Sequence, residues 1–333
     1  MWDTYAFCIY IQYHVRLSHC CSLDKMKSRE DDTMKNKISI IGVPMDLGQS
    51  RRGVDMGPSA IRYAGVTETL EKLDFIITDL GDITINRPSE NVIEKDSNLK
   101  NLAQITSANQ MLADMVDIEI QKGQFPLILG GDHSIAIGSL AGISKHYRNL
   151  GVIWYDAHGD LNSSETSPSG NIHGMPLAVS LGIGHDKLTN ISGYNPKVKP
   201  ENVVIVGARS LDPGERALCR EKGIKVFTMH EIDRMGMPKV MEEAIAYLEA
   251  RTDGVHLSLD LDGLDPSEAP GVGTPVLGGM TYRESHLAME MLFESGIITS
   301  TEFVEVNPIL DDKNKTATVA VALMGSLFGE KLK

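Results

Sequence analysis

The sequence predicts a single α/β domain, a three-layer α/β/α sandwich around a mostly parallel sheet of about eight strands. Three observations predict it. Short apolar, β-branched runs alternate with longer helix-patterned stretches along most of the chain, the pattern of strand–helix–strand units whose helices cover both faces of a sheet. No linker breaks that alternation between Ile38 and Leu327, so the 333 residues read as one large domain rather than two. Three of the apolar runs also end in Asp or His, at the strand ends where sheets of this kind bind ligands.

The strands are expected at residues 38–43, 75–78, 127–129, 152–155, 203–206, 225–228, 255–259 and 301–306, each short, apolar and rich in Val, Ile or Leu. Helical patterns lie between them, notably at 99–122 and 238–251. There is no internal repeat or low-complexity tract. A formal net charge of −13 and the lack of any basic run argue against a nucleic-acid surface. No apolar stretch has the length of a membrane span.

Residues 1–35 differ in texture from the rest. They hold Cys8, Cys20 and Cys21, three of the four cysteines, in a mixed aromatic and polar text without the basic start and apolar core of a signal peptide. So few and poorly spaced cysteines make no disulfide framework, which points to a reducing, cytoplasmic setting. His14 and His19 beside them match no common zinc spacing, and Cys219 reads as a packed helix residue. The expected division is an atypical extension over 1–35, disordered or non-essential, and one core domain over 36–333. Starting the chain at Met34 is therefore expected to leave activity and melting temperature nearly unchanged; a large fall in either would mean that the leader packs on the domain.

The chemistry is carried by three segments. Trp154-Tyr155-Asp156-Ala157-His158-Gly159-Asp160 follows an apolar run, and in an extended chain side chains two apart share a face. Asp156, His158 and Asp160 would then converge. Leu129 leads into Gly130-Gly131-Asp132-His133, and Leu259 into Asp260-Leu261-Asp262-Gly263-Leu264-Asp265-Pro266. Singly, an Asp-x-Asp is commonly a turn or cap and a Gly-Gly a tight turn. Jointly, three apolar runs ending in such groups share few structural explanations. Imidazole with a majority of carboxylates and no thiolate fits Mn²⁺ or a similar oxygen-preferring ion better than structural zinc. Six candidates (His133, Asp156, His158, Asp160, Asp260 and Asp262) are too many for one catalytic ion with an open position, so two ions are expected. Four carboxylates offset their charge, and a bridging hydroxide would leave the site mildly negative and able to attract a cationic substrate.

In the order Gly130-Gly131-Asp132-His133-Ser134, Asp156 to Asp160, Ser169-Gly170-Asn171-Ile172-His173-Gly174-Met175-Pro176 and Ser258 to Pro266, the sequence resembles the ureohydrolases, and among them the arginases, the bacterial ones most. Gly273 to Gly279 and Glu305-Val306-Asn307-Pro308 extend the likeness, which runs from about Lys37 to the C-terminus. The resemblance implies two Mn²⁺ per subunit. His133, Asp156, Asp160 and Asp260 would hold one; Asp156, His158, Asp260 and Asp262 would hold the other, with Asp156 and Asp260 bridging. It implies hydrolysis of L-arginine to L-ornithine and urea by water activated between the ions, with Asp160 helping to orient the intermediate.

Glu305 would pair with the guanidinium, for which a fixed carboxylate suits a planar donor fork. His173, in a polar loop rather than on an apolar face, would pass a proton to the departing amine. Asn162, Ser169 and Asn171 would grip the α-carboxylate, Asp212 and Glu215 would assist at the α-amino group, and Thr274 would line the pocket beside the guanidinium. One departure is Ser210, which stands where many animal members carry an acidic residue. The nearest alternatives are agmatinase or guanidinobutyrase, which lack the head-group loop. A dinuclear phosphoesterase would need a Gly-Asn-His tripeptide that Gly170-Asn171-Ile172-His173 breaks, and a noncatalytic metabolite-binding relative would be expected to lack ligands that are all present. The resemblance also suggests a homo-trimer or homo-hexamer, with Arg283 and Glu284 as contact candidates.

Overall fold

A computed structural model describes residues 36–88, 93 and 98–331; the leader over 1–35 and its three cysteines lie outside the described residues. Eight strands form one sheet: β1 Lys37–Val43, β2 Ile76–Asp82, β3 Phe125–Gly130, β4 Leu150–Tyr155, β5 Val203–Ala208, β6 Lys225–Thr228, β7 Gly254–Asp260 and β8 Ile298–Val304. Their order is β2-β1-β3-β8-β7-β4-β5-β6, and every neighbouring pair is parallel. The expected three-layer fold is therefore observed.

Alternation along the strands shows that both faces are covered. On β4, Ile153 and Tyr155 pack into one apolar core, with Leu257 and Phe303, while Val152 and Trp154 enter the other, with Ile128 and Ile205. Helices spanning Leu102–Gln121 and Ala136–Ile143 lie on the second face; those spanning Met237–Glu249, Tyr282–Ser295 and Lys315–Leu327 lie on the first.

Two strands depart from expectation. Residues 75–78 read as a buried strand, but β2 runs over 76–82 and is largely exposed, because it pairs only with β1 at the sheet edge. Its Asp79 and Asp82 both hold the guanidinium of Arg62, and charge of this kind keeps an edge from pairing with another chain. The last strand was expected to reach Val306 but ends at Val304, since Glu305 takes φ 67°, a left-handed conformation no strand can continue through.

Strand order decides where the site falls. β3, β8, β7 and β4 are consecutive in the sheet, so the segments after Gly130, Val304, Asp260 and Tyr155 emerge side by side. Backbone bonds stitch them together: Gly131 N to the Val43 carbonyl at 2.8 Å, Asp132 N to the Met45 carbonyl at 2.8 Å, and Glu305 N to the Gly131 carbonyl at 2.8 Å. Gly131 permits this, because a Cβ there would collide with the Met45 backbone.

Candidate metal centre and substrate cavity

At that junction the structure brings all six expected ligands together. The Nδ1 atom of His133 lies 3.1 Å from Asp156 Oδ2, 3.0 Å from Asp160 Oδ2 and 3.2 Å from Asp260 Oδ2. His158 Nδ1 lies 3.1 Å from Asp262 Oδ2 and 3.4 Å from Asp156 Oδ1. Two ligand groups result, His133 with Asp156 and Asp160, and Asp156 with His158 and Asp262; they share Asp156.

Whether these residues suit cations can be tested on two of the atoms. His133 Nδ1 and Asp156 Oδ2 are buried and make no hydrogen bond, although each has polar neighbours close by. Buried polar atoms are rarely left so, and three carboxylate oxygens around one ring nitrogen fit a common cation. The titration of the cluster agrees. Burial and then the charge of Asp156 push the Asp160 carboxyl up to about 6, and burial with the charges of Asp262 and Asp156 raises Asp260 far above its usual range. Burial would lower His133, but its three carboxylate neighbours outweigh that and raise it. Protons are thus drawn into the cluster, the positions that divalent ions would take. Asp160 also has φ 51°, so two site residues, it and Glu305, sit in left-handed backbone that side chains seldom adopt.

Beside the cluster is a cavity of about 160 Å³ lined by His133, His158, Asp160 and Asp260 at its base and by Asn162, Ser169, Asn171, His173, Asp212, Glu215 and Thr274 around it. Of the residues expected at the substrate, all but Glu305 line this one cavity. Glu305, just beyond the lining, is held by three donors: Gln49 Nε2 at 2.7 Å, His133 N at 2.9 Å and the His173 ring at 3.2 Å. Burial would raise Glu305, but the His173 hydrogen bond and charge hold it below the usual range; burial would lower His173, and Glu305 raises it. Thr274 donates to Asp262 at 3.0 Å. Asn162 donates to Asp212 at 3.0 Å, and Asn171 accepts from Lys100 at 2.8 Å, so the loop is braced. Glu215 caps its own helix, accepting from Asp212 N at 2.7 Å and Leu161 N at 3.0 Å, and burial pushes it up to about 7. A larger cavity, about 510 Å³, opens near the starts of β3 and β8, but Phe75, Phe125, Phe293 and Phe328 dominate it and no titratable group lines it.

The arginase family model matches residues 36–329. The chain belongs to the arginase family. It is 72% identical to the arginase of Bacillus caldovelox over 295 residues, 89% of this chain and 99% of that protein. The solved native structure of the Bacillus caldovelox arginase superposes with a TM-score of 0.88, covering 90% of this chain and all of the other. An Entamoeba histolytica arginase solved with L-ornithine is 34% identical, with a TM-score of 0.80, and covers 89% of this chain and 99% of that one. The arginase-family membership makes the chain a hydrolase, and its two overlapping His/Asp groups, buried except for the partly exposed His158, form a cluster suited to metal ions. Among the described residues no helix is long and apolar enough to cross a membrane.

Sequence reading missed several residues that shape this arginase-family site. Gln49, in the loop after β1, holds Glu305. Asp132, between the two motif residues that were noticed, accepts from Gly48 N at 2.8 Å and Ser134 N at 3.0 Å, and burial followed by the Glu305 charge pushes it up to about 6. Arg209 ties the Asp262, Leu264 and Val276 carbonyls at 2.7, 3.1 and 2.8 Å, fixing the two loops that carry Asp262 and Thr274. Only Asp132 had a local signal, the motif that contains it.

Proposed function

We propose that the chain hydrolyses L-arginine to L-ornithine and urea using two Mn²⁺ per subunit. The observation that carries this is the pairing of two ligand groups through Asp156 with the buried carboxylate of Glu305 at the cavity's edge. His133, Asp156, Asp160 and Asp260 would hold one ion and Asp156, His158, Asp260 and Asp262 the other. When bound, the two ions would supply Lewis acidity, the means of making water a nucleophile near neutral pH.

The remaining work falls to the chain's own residues. Glu305, immobilised by Gln49 and the His133 amide, offers its carboxylate to the guanidinium and fixes the plane of that group, so that its carbon presents one face for attack. Asp160, on its strained backbone, stays at the cavity floor and helps to orient the reacting carbon. Glu305 raises the pKa of His173 against its burial and so favours the protonated ring, which would pass its proton to the departing amine. Thr274 braces Asp262 and closes the guanidinium end of the cavity. Asn162, Ser169 and Asn171 would take the α-carboxylate. Asp212 would take the α-ammonium, and Glu215, whose oxygens each keep a second lone pair after capping the helix, would support it. That the Entamoeba arginase was solved with L-ornithine, the expected product, supports this substrate class.

The test is urea release from L-arginine with Mn²⁺, with agmatine as the control. Cutting Asn162, Ser169 or Asn171 to Ala is expected to raise KM for arginine while metal content stays at two per chain. Losing a hydrogen bond to a charged group costs about 1.5–3 kcal/mol, roughly a tenfold to hundredfold loss in kcat/KM per residue. Agmatine lacks the carboxylate, so its poor turnover should barely respond. Equal losses for both substrates would mean that the loop supports the fold and does not read the head group.

The reading extends to a cytoplasmic homo-trimer or homo-hexamer. Arg283 is exposed and open to subunit contacts. Glu284 is engaged at its own helix N-terminus, accepting from Thr281 N at 2.8 Å.

A further inference from the structure

Beneath the metal centre, on the side away from the cavity, lies a buried carboxylate for which the mechanism has no use. Glu302 is in the middle of β8, is 0% exposed, and stands in register with Ser258 of β7, which in turn stands beside Trp154 of β4. Burying a carboxylate is costly unless its oxygens are satisfied. Glu302 meets that cost with Ser258 Oγ on Oε1 at 2.7 Å and Ser139 Oγ on Oε2 at 2.6 Å, and the ring of His256 is 3.4 Å from Oε1. Burial would raise Glu302, but His256, the charge of His133 and the Ser139 hydroxyl outweigh that and hold it below the usual carboxylate range.

Donor counting then fixes a proton elsewhere. An ionised carboxylate only accepts, so Ser258 must spend its single hydroxyl proton on Glu302. The other neighbour of the Ser258 oxygen is His133 Nε2, at 2.7 Å. With its proton committed, that oxygen can only accept, and so Nε2 must be the protonated nitrogen. Nδ1 of the same ring is the atom facing Asp156, Asp160 and Asp260. Trp154 stacks on the ring with centroids 4.2 Å apart and planes within 5°, which sets its plane but not its tautomer.

We propose that Glu302 is a positioning residue for the metal centre: acting through Ser258, it locks His133 in the tautomer whose Nδ1 is free to bind a cation. This rests on the dinuclear-metal reading and assigns Glu302 no contact with substrate or metal. In Glu302→Gln the amide can donate to Ser258 Oγ, which frees the Ser258 proton to point at Nε2 and favours the opposite tautomer. Loss of such an outer partner typically lowers metal affinity about 10- to 100-fold.

The experiment is Mn²⁺ titration of metal-free protein against a competing chelator, with the electron paramagnetic resonance spectrum followed in parallel. It would be run on the unaltered chain, Glu302→Gln, Ser258→Ala and the double variant. The unaltered chain should take up two ions and show a spin-coupled pair; failure there would sink the metal reading itself. Given that, Glu302→Gln should bind the ion held by His133 about 10- to 100-fold less tightly, so that one of the two ions weakens and isolated Mn²⁺ appears at equal loading. In the Ser258→Ala background it should add little, because the relay is already cut. Unchanged affinity in Glu302→Gln, or losses that simply add, would overturn the proposal. If Glu302→Gln does not fold, Glu302→Asp keeps the charge but withdraws it from Ser258, and the same cycle with Ser258→Ala applies.

Discussion

Asp156→Ala is expected to lose at least about a thousandfold in kcat/KM for arginine and to retain fewer than two Mn²⁺ per chain. Asp156 directly follows β4, is fully buried, and is the residue common to both ligand groups. Its Oδ2 faces His133 Nδ1, and its Oδ1 lies 3.4 Å from His158 Nδ1 while also accepting from His158 N at 2.6 Å. One substitution thus weakens two positions at once, and a Lewis acid worth several kcal/mol at about 1.4 kcal/mol per tenfold sets the minimum loss. Asp260→Ala should behave alike, since Asp260 Oδ2 is 3.2 Å from the same His133 nitrogen. Thermal melts separate this from misfolding. Mn²⁺ at a hundred times its Kd should stabilise the unaltered chain by about 2.7 kcal/mol, and the variants should show little or no such rise. One tightly held Zn²⁺ per active chain would overturn the dinuclear manganese reading.

The six candidate ligands were legible in the sequence because their signal is local, three apolar runs that each lead into Asp or His. Asp156, His158 and Asp160 do not converge along an extended chain as expected, since β4 ends at Tyr155; a bend with Asp160 at φ 51° brings them together. The strand cores were legible for the same reason, being short β-branched runs buried on both sides. What escaped depends on strand order, which no local pattern encodes. Gln49 and Glu305 are 256 positions apart and meet because β1, β3 and β8 are consecutive in the sheet. Ser258 lay inside a recognised motif, yet its use follows from standing between Trp154 and Glu302 in register. The apolar Ile76 and Ile77 read as core because sequence cannot say that their strand is an edge. Val306 read as strand because nothing about a glutamate announces φ 67° one residue earlier.

Glu305→Gln should expose the role proposed for Glu305 most sharply. The carboxylate is 1% exposed, with Gln49 donating to Oε2 and the His133 amide donating to Oε1. An amide in its place has one acceptor; with that acceptor on the fixed His133 N–H its NH₂ faces Gln49, whose side-chain amide must turn over to accept it. It also has no charge to offer a guanidinium. Removing one partner of a buried ion pair costs roughly 3–5 kcal/mol, or about a hundredfold to a few-thousandfold in kcat/KM. Arginine and agmatine share the guanidinium and should both suffer, unlike in the Asn162, Ser169 and Asn171 variants. His173 should report the same change independently. Glu305 raises its pKa, so without that charge the proton is lost at lower pH, and the alkaline limb of the rate profile should move down. Metal content should remain two per chain, because Glu305 belongs to neither ligand group. Loss of the ions would make Glu305 a support of the metal site, and a variant that spared agmatine would move it to the head-group end of the cavity.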